Sequence, residues 1–322
     1  MGPWSVDTLL LCFGGGIVGA ALGGLFSFGI CGLIVLAGCF VVLNGGSEFL
    51  LMQVGLGSLF GPHTGGFAAG VAAVAYAAGV KKNLVSGSGK DILSPLIGTS
   101  WDVLLVGGVF AVIGHVLLQL LVKIPFVNSA DCIALSVVGT ACLARLLFLK
   151  EMPWGKAASI QSHGLLGTDK GALSWVPWMA QPSRLIVFSF GVGLLSAAMA
   201  MGTKSVLDPM VVQGTVSATG AFVVPLIFAW GIAAISLFGL QLGTGEVQKL
   251  PVWHCQAILA ALAFLLFNSL IVAALVGVLA GLLQELVARV MWNHGSTHID
   301  PPAGAIAIGT LLLNLAAKGF GG

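Results

Sequence analysis

The chain has 322 residues, 58% hydrophobic and 7% charged, where a soluble domain carries about 25% charged residues. A formal net charge of +2 offers no basic field to draw nucleic acid. A mean hydropathy of +1.07 excludes a water-soluble domain and predicts an all-α, polytopic integral membrane protein.

The opening "MGPWSVD" has no basic n-region, so the first apolar segment is expected to remain as a span rather than be cleaved as a signal peptide. Apolar runs predict helices over Thr8–Gly24, Leu25–Leu43, Phe49–Phe60 and Gly65–Val80, then Val103–Val122 and Cys132–Leu149. After a polar interval come Leu185–Met201, Ala221–Leu240, Cys255–Val276, Leu279–Trp292 and Ala303–Ala317. A crossing helix needs about 20 apolar residues, so several of these are too short to cross alone. About eight to ten transmembrane helices are expected, some of them re-entrant or broken and buried in protein or lining a wet cavity. Gly15, Gly19 and Gly23 recur every four residues on one helical face, a stripe for close packing within the bundle or for a homo-oligomer contact.

Positive charge is concentrated in two polar segments. Lys81, Lys82 and Lys90 mark the first; Arg145, Lys150, Lys156, Lys170 and Arg184 mark the second. The positive-inside rule places both in the cytoplasm, with the hairpin 103–149 going out and back between them. The loop 150–184, with Trp154, Trp175 and Trp178, suits an interfacial segment. It would join two repeat halves, about 8–150 and 185–322, within a single transmembrane domain, 1–322. A multi-pass protein of a bacterial inner membrane is expected.

"GPHTGGFAAGVAAVAYAAG" from Gly61 and "STHIDPPAGAIAIGTLLLN" from Ser296 share a shape: a polar turn carrying a histidine, then a small-residue helix. Each follows an acid, Glu48 or Glu285, and an earlier apolar run, which predicts an internal repeat. Further helix starts are expected at Ser94-Pro95, Asp208-Pro209, Asp300-Pro301 and Thr64-Gly65, because Ser or Asp caps and Pro suits the first helical position. Helix N-termini with unpaired N–H groups and positive partial charge bind anions, and small residues let a ligand reach the backbone. Transporters place such broken helices near the midplane.

The candidate solute site is therefore His63, Thr64, Gly65 and Gly66 on one turn and His298, Asp300 and Gly304 on the other. Glu48, Asp208 and Glu285 are candidates for coupling to a proton or sodium ion, although Glu285 has Arg289 four residues on as a neutralising partner and Asp208 has a capping role. His294 and His298 are four apart, but the intervening Gly-Ser-Thr argues against one helical face, so no metal site is expected. The six cysteines show no paired spacing and read as buried apolar groups. No HExxH, GxSxG or nucleotide-binding loop is present, so neither enzyme activity nor a cofactor is expected. The function expected is a permease for a small polar, anionic solute in the lipid bilayer. A passive channel of the same architecture and a non-transporting anchor subunit of a larger complex are the alternatives.

Overall fold

A computed structural model describes residues 2–241 and 250–320. The described residues are helical, with no strand among them. In chain order the helices are α1 (Val6–Leu22), α2 (Gly24–Leu43), α3 (Ala68–Tyr76), α4 (Trp101–Leu121), α5 (Cys132–Ala144) and α6 (Ala157–His163). They continue with α7 (Pro182–Val212), α8 (Ala218–Ser236), α9 (Phe238–Gln241), α10 (His254–Phe267), α11 (Leu270–Val287) and α12 (Pro301–Phe320). A π-helical turn stands alone at Leu50–Gly55, and others extend α3 to Lys81, α5 to Leu149 and α11 to Trp292. Among the described residues seven helices are long and apolar enough to cross a membrane, with α1, α3 and α10 as shorter apolar helices beside them. The chain is a multi-pass membrane protein.

Several expected boundaries move, each for a local reason. The apolar run 255–276 is two helices. Asn268 adopts a left-handed conformation (φ 48°), which Asn tolerates better than most residues, and Ser269 then caps α11 by accepting the Val272 N–H. Asp208-Pro209 begins nothing; both lie inside α7, where the missing Pro N–H costs a single bond in the closing turn. Ser94 is bound to Asp91 through its backbone N–H and hydroxyl in the loop that leads to α4, so Ser94-Pro95 is a turn. Of the run 49–60 only the π-helical turn is helical, and Thr64-Gly65 precedes a buried turn rather than α3 itself. Asp300-Pro301 does open a helix, with Asp300 Oδ2 accepting the Ala303 N–H at 2.9 Å.

Within a bilayer there is little hydrophobic drive between helices, so close packing and hydrogen bonds hold the bundle. The glycine stripe of α1 is used inside the chain: Gly15 abuts the carbonyl of Leu59 and Gly19 that of Gly65. Gly23, at φ 88°, forms the bend between α1 and α2 and leaves no room for a side chain beside the Ser94 carbonyl. Leu25 N–H and Leu96 N–H tie the bend to the 92–96 loop through the Ile92 and Ala21 carbonyls. The free cysteines are buried, save the half-buried Cys142.

The basic segments converge at one end of the bundle. Gly79 lies against Phe148 and Leu149, Lys90 Nζ donates to the Asn293 carbonyl, and the Lys156 N–H donates to the His294 carbonyl. At the opposite end His115 Nε2 meets the Pro3 carbonyl at 2.7 Å, Gly45 packs on Thr215, and Asn314 donates to the Ser129 carbonyl.

Candidate functional site

Two cavities penetrate the bundle. The larger, about 670 Å³, lies toward the basic end, with Lys90, Lys170 and Arg184 among its walls and Trp175, Trp178 and Trp292 around them. The smaller, about 260 Å³, is walled by the α3 approach (Met52, Leu56, Pro62), by Asp131 and Val137, by Leu226 and Trp230 of α8, and by Ile258 and Ile306. Four residues line both cavities: Phe28, Phe67, His254 and Asp300. They form the wall between them.

Each of the four is set by its element. Phe28 projects from α2, one turn past the Gly23 bend, and its ring lies 5.5 Å from Phe67, 4.9 Å from His254 and 5.1 Å from Trp230. Phe67 stands immediately before α3, and His254 is the first residue of α10. Asp300 is the cap of α12.

The three helix starts differ in how their N–H groups are used. At α3, Ala68 and Ala69 already donate to the Pro62 and Thr64 carbonyls of the turn before it. At α12, Asp300 takes the Ala303 N–H. At α10 no side chain caps the first turn, and among the described residues the first backbone donation is that of Ala257 to Trp253. His254 is 4% exposed, and neither ring nitrogen has a hydrogen-bond partner among the described residues; Nδ1 is fully enclosed. An unpaired buried imidazole costs about 1–3 kcal/mol, a penalty that a ligand at this position would remove.

The second turn is tightly organised. Trp292 Nε1 donates to His298 Nδ1 at 3.1 Å, which leaves the proton on Nε2, facing Asp300 Oδ1 at 3.2 Å. His298 lines the larger cavity and its ring meets Phe67 edge-on at 5.7 Å. Behind it the turn is clasped by Arg145, which is fully buried. Arg145 donates to the Thr297 hydroxyl (2.8 Å) and carbonyl (2.6 Å), to Met291 O (2.7 Å) and to Pro153 O (2.5 Å). The Ser296 N–H donates to Glu151, and the His298 N–H donates to the Gly89 carbonyl.

The structure brings together some of the expected site residues and separates others. His298 and Asp300 face the larger cavity, and Asp300 faces both. His63, Thr64, Gly65 and Gly66 are buried but absent from both cavity walls. The His63 ring turns toward His115 (6.5 Å) with no partner for either nitrogen among the described residues, while its neighbours Pro62 and Phe67 reach the wall. Gly304 packs under Val287. Glu48 accepts from Ser217 at the cap of α8, Asp208 pairs with Lys204 at 2.7 Å on the exposed side of α7, and Glu285 pairs with Arg289 at 2.8 Å. None of these three acids lines either cavity. His294 is held by Ser159 and the Leu165 carbonyl, away from His298. Among the described residues no cluster of three or more His, Cys, Asp or Glu could hold a metal.

Sequence reasoning passed over His254, Phe28 and Phe67. His254 carried a usable signal: like His63, it opens an alanine-rich helical run, "HCQAILAALA". Phe28 lay in an unbroken apolar stretch where one aromatic is indistinguishable from its neighbours.

No curated protein and no solved structure matches the chain. A profile described as "Family of unknown function (DUF7973)" matches residues 1–159 and 168–319, with the break falling in the polar loop that carries α6. With nearly the whole length matched, the chain belongs to the DUF7973 family.

Proposed function

We propose that the protein is a transporter for a small anionic solute, which passes between the two cavities at the Phe28–Phe67–His254–Asp300 wall. The supporting observation is that wall itself: two cavities that share four residues, three of which carry aromatic rings. A carrier is preferred to an open channel because aromatic side chains, rather than a continuous polar lining, stand between the two cavities.

The packing supports a repeat of opposite orientation. α1 packs on α4 around the buried α3 in one half, and α7 packs on α11 around the buried α10 in the other. α2–α8 and α5–α12 join the halves. In this reading α3 runs from the middle toward the basic end and α10 from the middle toward the other end. Each is then the re-entrant part of a broken crossing, and their starts oppose one another at the partition. The partner of α3 is α10, so the resemblance between the 61–79 and 296–314 segments is one of local shape. Lys90, Lys170 and Arg184 would gather anions at the cytoplasmic mouth. In this reading Asp300, the acid that lines both cavities, would take the coupling proton or sodium ion.

Reconstitution tests the reading. Proteoliposomes are expected to take up one or more of a labelled set of acetate, benzoate, phosphate and sulfate saturably, above empty vesicles and in dependence on a proton or sodium gradient. Absence of any protein-dependent flux, with the protein purifying instead in a fixed complex with a soluble partner, would favour the anchor-subunit alternative.

The mouth adds a pH dependence. Burial, followed by the charge of Arg145, lowers the Lys90 ammonium to about 8; its Nζ sits 3.8 Å over the Trp292 ring. Lys90 is therefore charged at pH 7 and loses its proton as pH rises through about 8. Anion uptake from the basic side is expected to fall between pH 7 and pH 9, and Lys90→Met is expected to start low and stay flat over that window. A Lys90→Met profile that still falls like the parent's would remove Lys90 from the mouth.

A further inference from the structure

The transport reading leaves the solute's body undefined, and the smaller cavity defines it. Resting on that reading, we infer that the solute is a monocarboxylate with a compact apolar body, its carboxylate at the start of α10 and its body in the aromatic pocket behind His254. The polar end has one built receptor. His254 is buried, without a hydrogen-bond partner among the described residues, and faces both cavities; the backbone N–H groups of the uncapped α10 start lie beside it. These groups require an acceptor. Asp300, the other polar group on the wall, already receives the Ala303 N–H and the His298 ring N–H from its own turn. It leaves the donors of His254 and α10 to the ligand.

The body of the ligand is set by the remaining wall. Phe28 and Trp230 flank the imidazole at 4.9 and 6.3 Å, Phe67 lies against Phe28, and Ile258, Leu226 and Val137 complete the pocket. Apart from Asp131, at the cap of α5, and the two wall residues His254 and Asp300, this lining is apolar. A hydrated phosphate or sulfate, with its higher charge, would find no Lys or Arg there and would shed its water against aromatic rings. A flat or branched body of a few carbons gains by entering, and a volume of about 260 Å³ is below the about 300–1,000 Å³ that holds a drug-sized ligand.

The purified full-length protein in detergent is titrated at constant ionic strength with benzoate, phenylacetate, phosphate, sulfate, benzylamine and L-phenylalanine. Binding is read by thermal shift and by tryptophan fluorescence. Benzoate or phenylacetate is expected to raise Tm saturably, while phosphate, sulfate and benzylamine do not. His254→Leu is expected to weaken benzoate about tenfold or more, and His254→Gln, which keeps a donor, to weaken it less. Phe28→Leu is expected to weaken benzoate while leaving His254 in place, and each variant's Tm without ligand reports whether it folds. Phosphate or sulfate binding as tightly as benzoate, or L-phenylalanine binding more tightly than phenylacetate, overturns the monocarboxylate class in favour of an inorganic anion or a zwitterion. So does equal benzoate affinity in parent and His254→Leu. Uptake of phosphate by proteoliposomes with no benzoate binding would overturn this inference and leave the transport reading standing. Absence of both flux and binding would overturn the transport reading as well.

Discussion

Replacing Arg145 by Met is expected to lower Tm by roughly 6–10 °C, the equivalent of about 3–5 kcal/mol in a chain of this size. The side chain is fully buried at the end of α5, and among the described residues it has no carboxylate partner. Its charge is carried by three carbonyls and one hydroxyl drawn from two distant segments. Methionine matches the length and removes every donor, so the Thr297, Met291 and Pro153 carbonyls are left buried and unmet. Each such group costs about 1–3 kcal/mol, with incomplete additivity. Lys is expected to recover less than half of the loss, because an ammonium cannot reproduce the planar fork. A second substitution isolates the geometry. The guanidinium packs flat against Gly295, where a Cβ would collide with it. Gly295→Ala is therefore expected to cost several degrees in the parent and much less beside Arg145→Met, a coupling that a double-mutant cycle reads. A loss of under 2 °C for Arg145→Met would show that the clasp is not holding the turn.

The second large effect separates two glycines five residues apart on α1. Gly19→Ala is expected to destabilise by about 1–3 kcal/mol or more, because the new methyl would meet the Gly65 carbonyl and the backbone around it. Gly14→Ala, with nothing within 4 Å of its added methyl, is expected to stabilise by roughly 0.5–1 kcal/mol through helix propensity alone. Opposite signs of ΔTm are the result that supports internal packing of the stripe. If Gly19→Ala instead leaves Tm alone and changes only the molecular mass in detergent, the stripe is an oligomer contact.

Much of the helical plan was legible because hydrophobic run length is a strong signal in a membrane protein. The run Cys132–Leu149 matches α5 with its π-helical extension, and 8–24, 25–43 and 103–122 fall within one to three residues of their helices. The failures share a cause. Pairs such as Ser-Pro and Asp-Pro report only local preference, and tertiary context decides whether a helix begins there. Asp300-Pro301 is a start because the His298 turn is fixed beside it; Asp208-Pro209 is not, because Lys204 one turn earlier offers a partner within the same helix. For the site, sequence singled out a histidine turn before small residues. It could not show which histidines face open space, since orientation follows from packing that a single chain does not spell out. His63 and His254 look alike as letters, and one points into the protein and the other into the cavities.

The Arg145 clasp has a mechanical consequence. Because α5, the end of α11 and the approach to α12 are stitched at one point, Asp300 belongs to a stiff frame fixed to the basic end. Phe28 stands on a helix that hangs from the Gly23 bend, and His254 opens a short helix separated from α11 by the left-handed Asn268. For the proposed carrier, the expected consequence is that an opening between the cavities would turn on Gly23 and Asn268, which carry Phe28 and His254, while Asp300 stays with the frame and the histidine turn first singled out by its sequence does not move.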